Sequence, residues 1–194
     1  MQIPTSNGSL EAEFQPSTTA TTTTKVALLC HPHPGYGGSM HDRVLDEAAH
    51  CFPAHLKFNF RGVGGSTGMF DNGVGEADDV VSAWLWLRAQ GEWQEMTLLG
   101  YSFGAAMAWQ AQAHCPGIDR LVLIAPPSAA MPFSETTKTA QRSYPCDVIA
   151  GDQDDYFDAS NLPQNCRQTV IPGADHFFSN ALSALATAIT GRRD

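Results

Sequence analysis

Apolar runs recur along the chain, and most of them lead into a loop that contains glycine. Residues 25–30 (Lys-Val-Ala-Leu-Leu-Cys) end at His31-Pro32-His33-Pro34-Gly35, the pattern of a strand buried on both faces that enters a loop. Residues 56–60 read as another strand, running into Arg61-Gly62-Val63-Gly64-Gly65-Ser66, and further strands are predicted at 96–99, 121–125, 147–150 and 168–171. Residues 9–15 alternate polar and apolar, as a half-exposed strand does, and the Thr-rich stretch 17–24 that follows reads as a turn or edge. Helices are predicted at 40–51, 102–114 and 179–189. The clearest helix spans 75–88, where Ala77, Val80, Val81, Trp84 and Leu85 share one face. Glu76, Asp78 and Asp79 stand in its first turn, where the helix dipole favours anions. Strands alternating with helices predict a mostly parallel sheet covered by helices on both faces.

Composition narrows the class. The 194 residues carry no internal repeat and no compositional shift, so a single domain over 1–194 is expected. Hydrophobic residues make up 43% and charged residues 16%, a globular balance. Eleven Lys and Arg against twenty Asp and Glu leave a formal charge of −9, and no basic stripe is present to neutralise phosphates; nucleic acid is not expected as a partner. Apolar stretches are too short for a bilayer, and the N-terminus has no basic-then-apolar leader, so no membrane association and a cytoplasmic location are expected. The five cysteines, Cys30, Cys51, Cys115, Cys146 and Cys166, are odd in number and form no C-x-x-C. That suits reduced, mostly buried thiols better than a disulfide framework or a zinc site. Residues 126–144 alone lack periodicity, which limits any lid to about nineteen residues and predicts an open site.

Candidate chemistry lies at the strand ends. Gly100-Tyr101-Ser102-Phe103-Gly104 is a G-x-S-x-G between an apolar strand and an Ala-rich helix. There a strained tight turn would present the Ser102 oxygen at the sheet edge. A serine hydroxyl is a weak nucleophile and needs a base held by a third group. Two later strand ends offer Asp152, Asp154, Asp155 and Asp158, then Asp175-His176-Phe177-Phe178. His176 is the expected base and Asp154 the expected acid, with Asp152, Asp155 and Asp158 as competitors. The chain order Ser, Asp, His is that of α/β-hydrolases. Negative charge developing on a substrate carbonyl oxygen needs donors. One is the Phe103 backbone N–H; the second is the His33 amide, since Pro32 and Pro34 have no N–H. His31, His33 and His41 raise a rival metal site, but no carboxylate or cysteine stands at a ligand spacing beside them, so no metal is expected. Arg61 is expected to clamp loops through Asp71, Glu76 or Asp78 rather than hold a substrate carboxylate. Tyr36, Tyr101, Phe70 and Phe177 are candidates to line an acyl pocket, with Phe103, Tyr156, Phe157 and Phe178 also beside the site loops.

Five segments in this order, 30–38, 58–68, 75–78, 100–104 and 173–178, resemble the small, lid-poor α/β-hydrolases related to dienelactone hydrolases and serine esterases. The resemblance runs from about residue 26 to residue 180. It implies an α/β-hydrolase fold with little or no lid and a Ser-Asp-His triad. The family's acid stands three residues after the glycine that ends its strand, which carries over to Asp154. Tyr156-Phe157 replaces the small aliphatic pair usual there. Dienelactone hydrolases use a Cys nucleophile, so Ser102 favours the esterase side. The expected activity is carboxylesterase action on a small-molecule, short-chain acyl ester through an acyl-enzyme, without a cofactor. The same residues would equally serve a thioesterase or lactonase. A non-catalytic protein of the same fold is the remaining alternative.

Overall fold

The computed structural model describes residues 1–17, 25–134 and 142–191. Most of the Thr-rich stretch and the middle of the 126–144 segment lie outside the described residues. The elements are β1 (Gln2–Thr5), β2 (Gly8–Gln15), β3 (Lys25–Cys30), α1 (Arg43–His50), β4 (Ala54–Phe58), α2 (Gly75–Arg88), β5 (Glu95–Tyr101), α3 (Phe103–Ala111), β6 (Arg120–Ile124), β7 (Cys146–Gln153), β8 (Cys166–Asp175) and α4 (Leu182–Thr190). The strands form one sheet in the order β1-β2-β4-β3-β5-β6-β7-β8. From β4 to β8 every pairing is parallel; β1 and β2 add an antiparallel edge.

Alternation along β3 explains the layering. Val26, Leu28 and Cys30 join the core under α2 and α3, whereas Ala27 and Leu29 join the one under α1 and α4. Successive strand residues point to opposite faces, so a run apolar at every position serves both cores. The C-terminal ends of the parallel strands gather on one edge, the usual location of a site in such sheets. Among the described residues no helix is long and apolar enough to cross a membrane.

Several expected boundaries shift, each for a local reason. β1 was not foreseen, being four residues long and partly exposed. β4 occupies Ala54–Phe58, two residues earlier than predicted, because the Phe60 N–H turns away to donate to Nε2 of His31. α1 begins at Arg43 and not residue 40, since the Asp42 carboxylate accepts from the Val44 and Leu45 amides and caps it. β8 runs to ten residues, six of them exposed, as suits the sheet's last strand. α4 starts at Leu182 because the Asp175 carboxylate first takes the Ser179 amide and Phe178 adopts φ 49°. The buried face of α2 is Glu76, Asp79, Val80, Ala83, Trp84 and Leu87, while Leu85 is exposed. Two acids near the helix start are therefore inside: Glu76 holds the Asp71 and Gly73 amides just before the helix, and Asp79 holds Arg61.

Candidate active site

The turn after β5 is built by exclusion. Ser102 holds φ 54° and ψ −119°, a left-handed conformation costly for a residue with a Cβ. A side chain at Gly100 would strike the Gly104 carbonyl, and one at Gly104 would strike the Cys30 carbonyl. Only glycine at both positions lets α3 start directly beneath the strand end and against β3. The Ser102 N–H donates to the Ile124 carbonyl, 2.9 Å away, which ties the turn to β6.

From this turn the Ser102 side chain meets two later strand ends. His176 Nε2 lies 2.9 Å from Ser102 Oγ, and His176 Nδ1 lies 2.9 Å from both Asp154 oxygens. All three residues are buried. Asp154 Oδ1 also accepts the Tyr156 N–H at 2.9 Å, which fixes the carboxylate in its loop. The Tyr101 hydroxyl donates to the His176 backbone carbonyl at 3.1 Å, and burial pushes its phenol well above the ordinary range. It therefore stays a neutral donor, steadying the histidine loop from beneath.

Two of the competing aspartates are engaged elsewhere, and the third is exposed. Asp152 is exposed and accepts the Gly173 N–H, Asp158 caps the short 3-10 turn Ala159–Asn161, and Asp155 is exposed. Asp175 binds the Ser179 amide and hydroxyl.

Both ring nitrogens of His31 are used within the loops: Nε2 accepts the Phe60 N–H, and Nδ1 lies 2.6 Å from the Pro32 carbonyl, to which it donates. Burial lowers its pKa to about 4, consistent with the neutral ring these bonds require. The His33 Nδ1 accepts the Gly35 N–H, and its ring packs among Tyr36, Phe70 and Phe103. Burial lowers its pKa also. Among the described residues no three His, Cys, Asp or Glu side chains are placed to share a metal ion.

Arg61 does clamp a loop, but its partner is Asp79, which was not among those expected. Its Nε and Nη2 reach the two Asp79 oxygens at 3.0 and 2.7 Å, and the Arg61 N–H adds a third bond at 3.0 Å. Glu76 instead accepts the Asp71 and Gly73 amides, both at 2.7 Å. Together these acids anchor residues 61–73 beside the site.

A cleft of about 550 Å³ opens over Ser102. Tyr36, Tyr101 and Phe177 line it, together with His33 and Phe103. Phe70 does not; its ring packs against His33 and Phe103 from behind. Phe178 is fully buried in the core. Met131, Pro127 and Ala130 contribute one wall that sequence reasoning missed. They come from the aperiodic 126–144 stretch, whose only signal was its position after β6. Asp42 also lines the cleft, and burial raises its pKa. The Phe103 N–H is the first amide of α3, one of those a helix leaves without an intrahelical acceptor. His33 stands in the facing loop of the same cleft.

These features define a strained serine turn at the C-terminal edge of a parallel sheet, and comparison with known proteins supplies the family. A family model described as alpha/beta hydrolase fold matches residues 28–146, more than half of the sequence. The chain belongs to the α/β-hydrolase fold family. An uncharacterized protein of Rickettsia prowazekii is 34% identical over 181 residues, covering 84% of this chain and 76% of that one. A lid-less α/β serine hydrolase from Xanthomonas campestris superposes with a TM-score of 0.86 at 31% identity, covering 97% of this chain and 90% of its own. An α/β serine hydrolase homologue from Coxiella burnetii gives 0.84 at 28% identity, with 98% and 94% covered.

Proposed function

We propose that this chain is a serine hydrolase that cleaves small, short-chain carboxylic esters through an acyl-enzyme. The observation that carries the reading is the unbroken path of 2.9 Å contacts from Ser102 Oγ through the His176 ring to Asp154. In this scheme Ser102 Oγ attacks the ester carbonyl as Nε2 of His176 takes its proton. Asp154 holds the ring with Nδ1–H toward the carboxylate, so that Nε2 is the free acceptor, and stabilises the imidazolium that forms. The carbonyl oxygen, now negative, is received by the Phe103 and His33 amides. Imidazolium then protonates the leaving alcohol, and the same groups in reverse order deliver water to the acyl-serine. Nothing in this sequence of steps requires a cofactor. The likeness to the lid-less Xanthomonas serine hydrolase supports the reading.

The test is Ser102→Ala assayed on a panel of aryl and alkyl esters. Turnover should fall about 10⁴-fold or more with the fold intact by circular dichroism. A serine-directed fluorophosphonate should label wild type on the peptide that contains Ser102 and leave the variant unlabelled. Retention of a tenth of wild-type turnover, or an adduct on another residue, would overturn the assignment.

A further inference from the structure

At the end of the sheet opposite the cleft, Cys146 opens β7 and Cys166 opens β8, and the two are register partners in the parallel ladder. Residues paired in register project to the same face, and their Sγ atoms stand 2.7 Å apart as free thiols. Cys146 is buried, at 2% exposure, whereas Cys166 is partly open. The Arg142 guanidinium reaches the same spot: Nη2 lies 3.5 Å from Cys166 Sγ and donates to the Gln164 carbonyl at 2.8 Å, while the group stacks 4.6 Å over the Trp109 ring. Its Nη1 is buried without a hydrogen-bond partner among the described residues, leaving a donor available for an anionic oxygen. The neighbouring thiol and Arg142 hold the Cys166 thiol below its ordinary range, while the same contact and burial push Cys146 up, so Cys146 keeps its proton.

We propose that Cys166 and Cys146 form a hydroperoxide-reactive dithiol pair that closes into a disulfide across the bases of β7 and β8. The Cys166 sulfur attacks one peroxide oxygen. An S–O bond forms, the O–O bond breaks, and the other oxygen leaves as water or an alcohol with the proton lost from Cys166. Cys166 is thereby oxidised by two electrons to a sulfenic acid, and the peroxide is reduced. The Cys146 sulfur then attacks the Cys166 sulfur; the S–S bond forms, the S–O bond breaks, and the hydroxyl departs as water with the Cys146 proton. A thiol reductant returns both cysteines to thiols. Cys51 is the internal contrast: it is also half-buried, but its Sγ donates to the Glu47 and Ala186 carbonyls. The strands that would be joined are those whose far ends lead to Asp154 and His176, so the bond would tie them together without entering the cleft.

The experiment exposes the full chain to dilute hydrogen peroxide, alkylates the remaining thiols and digests with trypsin without reduction. Trypsin cuts after Arg142 and Arg167, so both cysteines fall in the peptide 143–167. That peptide should become lighter by two hydrogens and take no alkyl group while Cys51 still alkylates, and dithiothreitol should restore both thiols. Cys146→Ser should trap the sulfenic acid on Cys166 as a dimedone adduct, and Cys166→Ser should show neither product. Should a variant fail to fold, peptide mapping of the wild type still decides. Peptide 143–167 remaining doubly alkylated when Cys51 is oxidised would overturn the proposal, as would oxidation that stops on Cys166 as a sulfinic acid beside an unreacted Cys146.

Discussion

Asp154 presents both carboxylate oxygens to a single nitrogen of His176, at 2.9 Å each, from a side chain with no solvent exposure. In such a setting the acid fixes the ring's tautomer as well as its position. Asp154→Asn could offer its amide nitrogen to Nδ1 and stabilise the wrong tautomer, so kcat should fall about 10⁴-fold with the fold retained. Asp152→Asn, Asp155→Asn and Asp158→Asn should each change kcat little, because Asn can still accept the Gly173 amide or cap a turn. Parallel kinetics of the four variants checks this, and a dead Asp152 or Asp155 variant would move the acid.

The glycine two residues after Ser102 sets a steric test. Inside a helix, Gly to Ala normally stabilises by about 1 kcal/mol. At Gly104 the added methyl would meet the Cys30 carbonyl, backbone that cannot move without displacing the end of β3. Overpacking of this kind costs about 2–3 kcal/mol and should win. Gly104→Ala is therefore expected to lower Tm by about 5–10 °C and to reduce activity, since His33 stands just beyond the displaced strand end. Thermal unfolding with an ester assay measures both, and an unchanged Tm would show that the elbow tolerates a side chain.

What could be read beforehand divides by the range of the interactions. The parallel core was legible because strands such as Lys25–Cys30 and Arg120–Ile124 are apolar at successive positions, which only a doubly covered sheet satisfies. The elbow and the His176 loop were legible because their residue types and order are dictated by local backbone geometry and by chemistry. The partner of Arg61 was not. Asp78 and Asp79 are adjacent in sequence, and only the rotation of α2 against the sheet decides which one turns inward. The same rotation buries Glu76 and exposes Leu85, reversing what apolar periodicity alone predicts. The place of Phe70 was illegible for a related reason: proximity in sequence to a site loop does not say which side of the His33 ring it occupies.

Pro127, Ala130 and Met131 form one wall of the cleft over Ser102. With this wall taken to limit the acyl group, acetyl and butyryl esters should be turned over faster than dodecanoyl esters. Shortening Met131 to Ala should raise kcat/KM for longer chains relative to acetyl by about tenfold, the scale of one or two methylenes in an apolar pocket. Competition assays across chain lengths check this. Long-chain preference in the wild type would contradict the short-chain reading.

Stability should depend on pH through His31. In the folded chain the ring is neutral, accepting the Phe60 N–H and donating to the Pro32 carbonyl, and burial lowers its pKa to about 4. In the unfolded chain a histidine titrates near its ordinary value of about 6.5. Between these two values the unfolded state binds a proton that the folded state refuses, so this contribution to stability is complete above about pH 6.5 and declines as pH falls toward 4. The loss amounts to about 2 kcal/mol by pH 5 and at most about 3 kcal/mol below pH 4. His31→Gln retains an acceptor for the Phe60 amide but cannot titrate. Although less stable at pH 7, it should lose less stability than wild type between pH 7 and 5, by roughly that 2 kcal/mol. Urea unfolding of both proteins at the two pH values isolates the difference from other titrating groups. Equal losses would mean that protonation of His31 does not oppose folding.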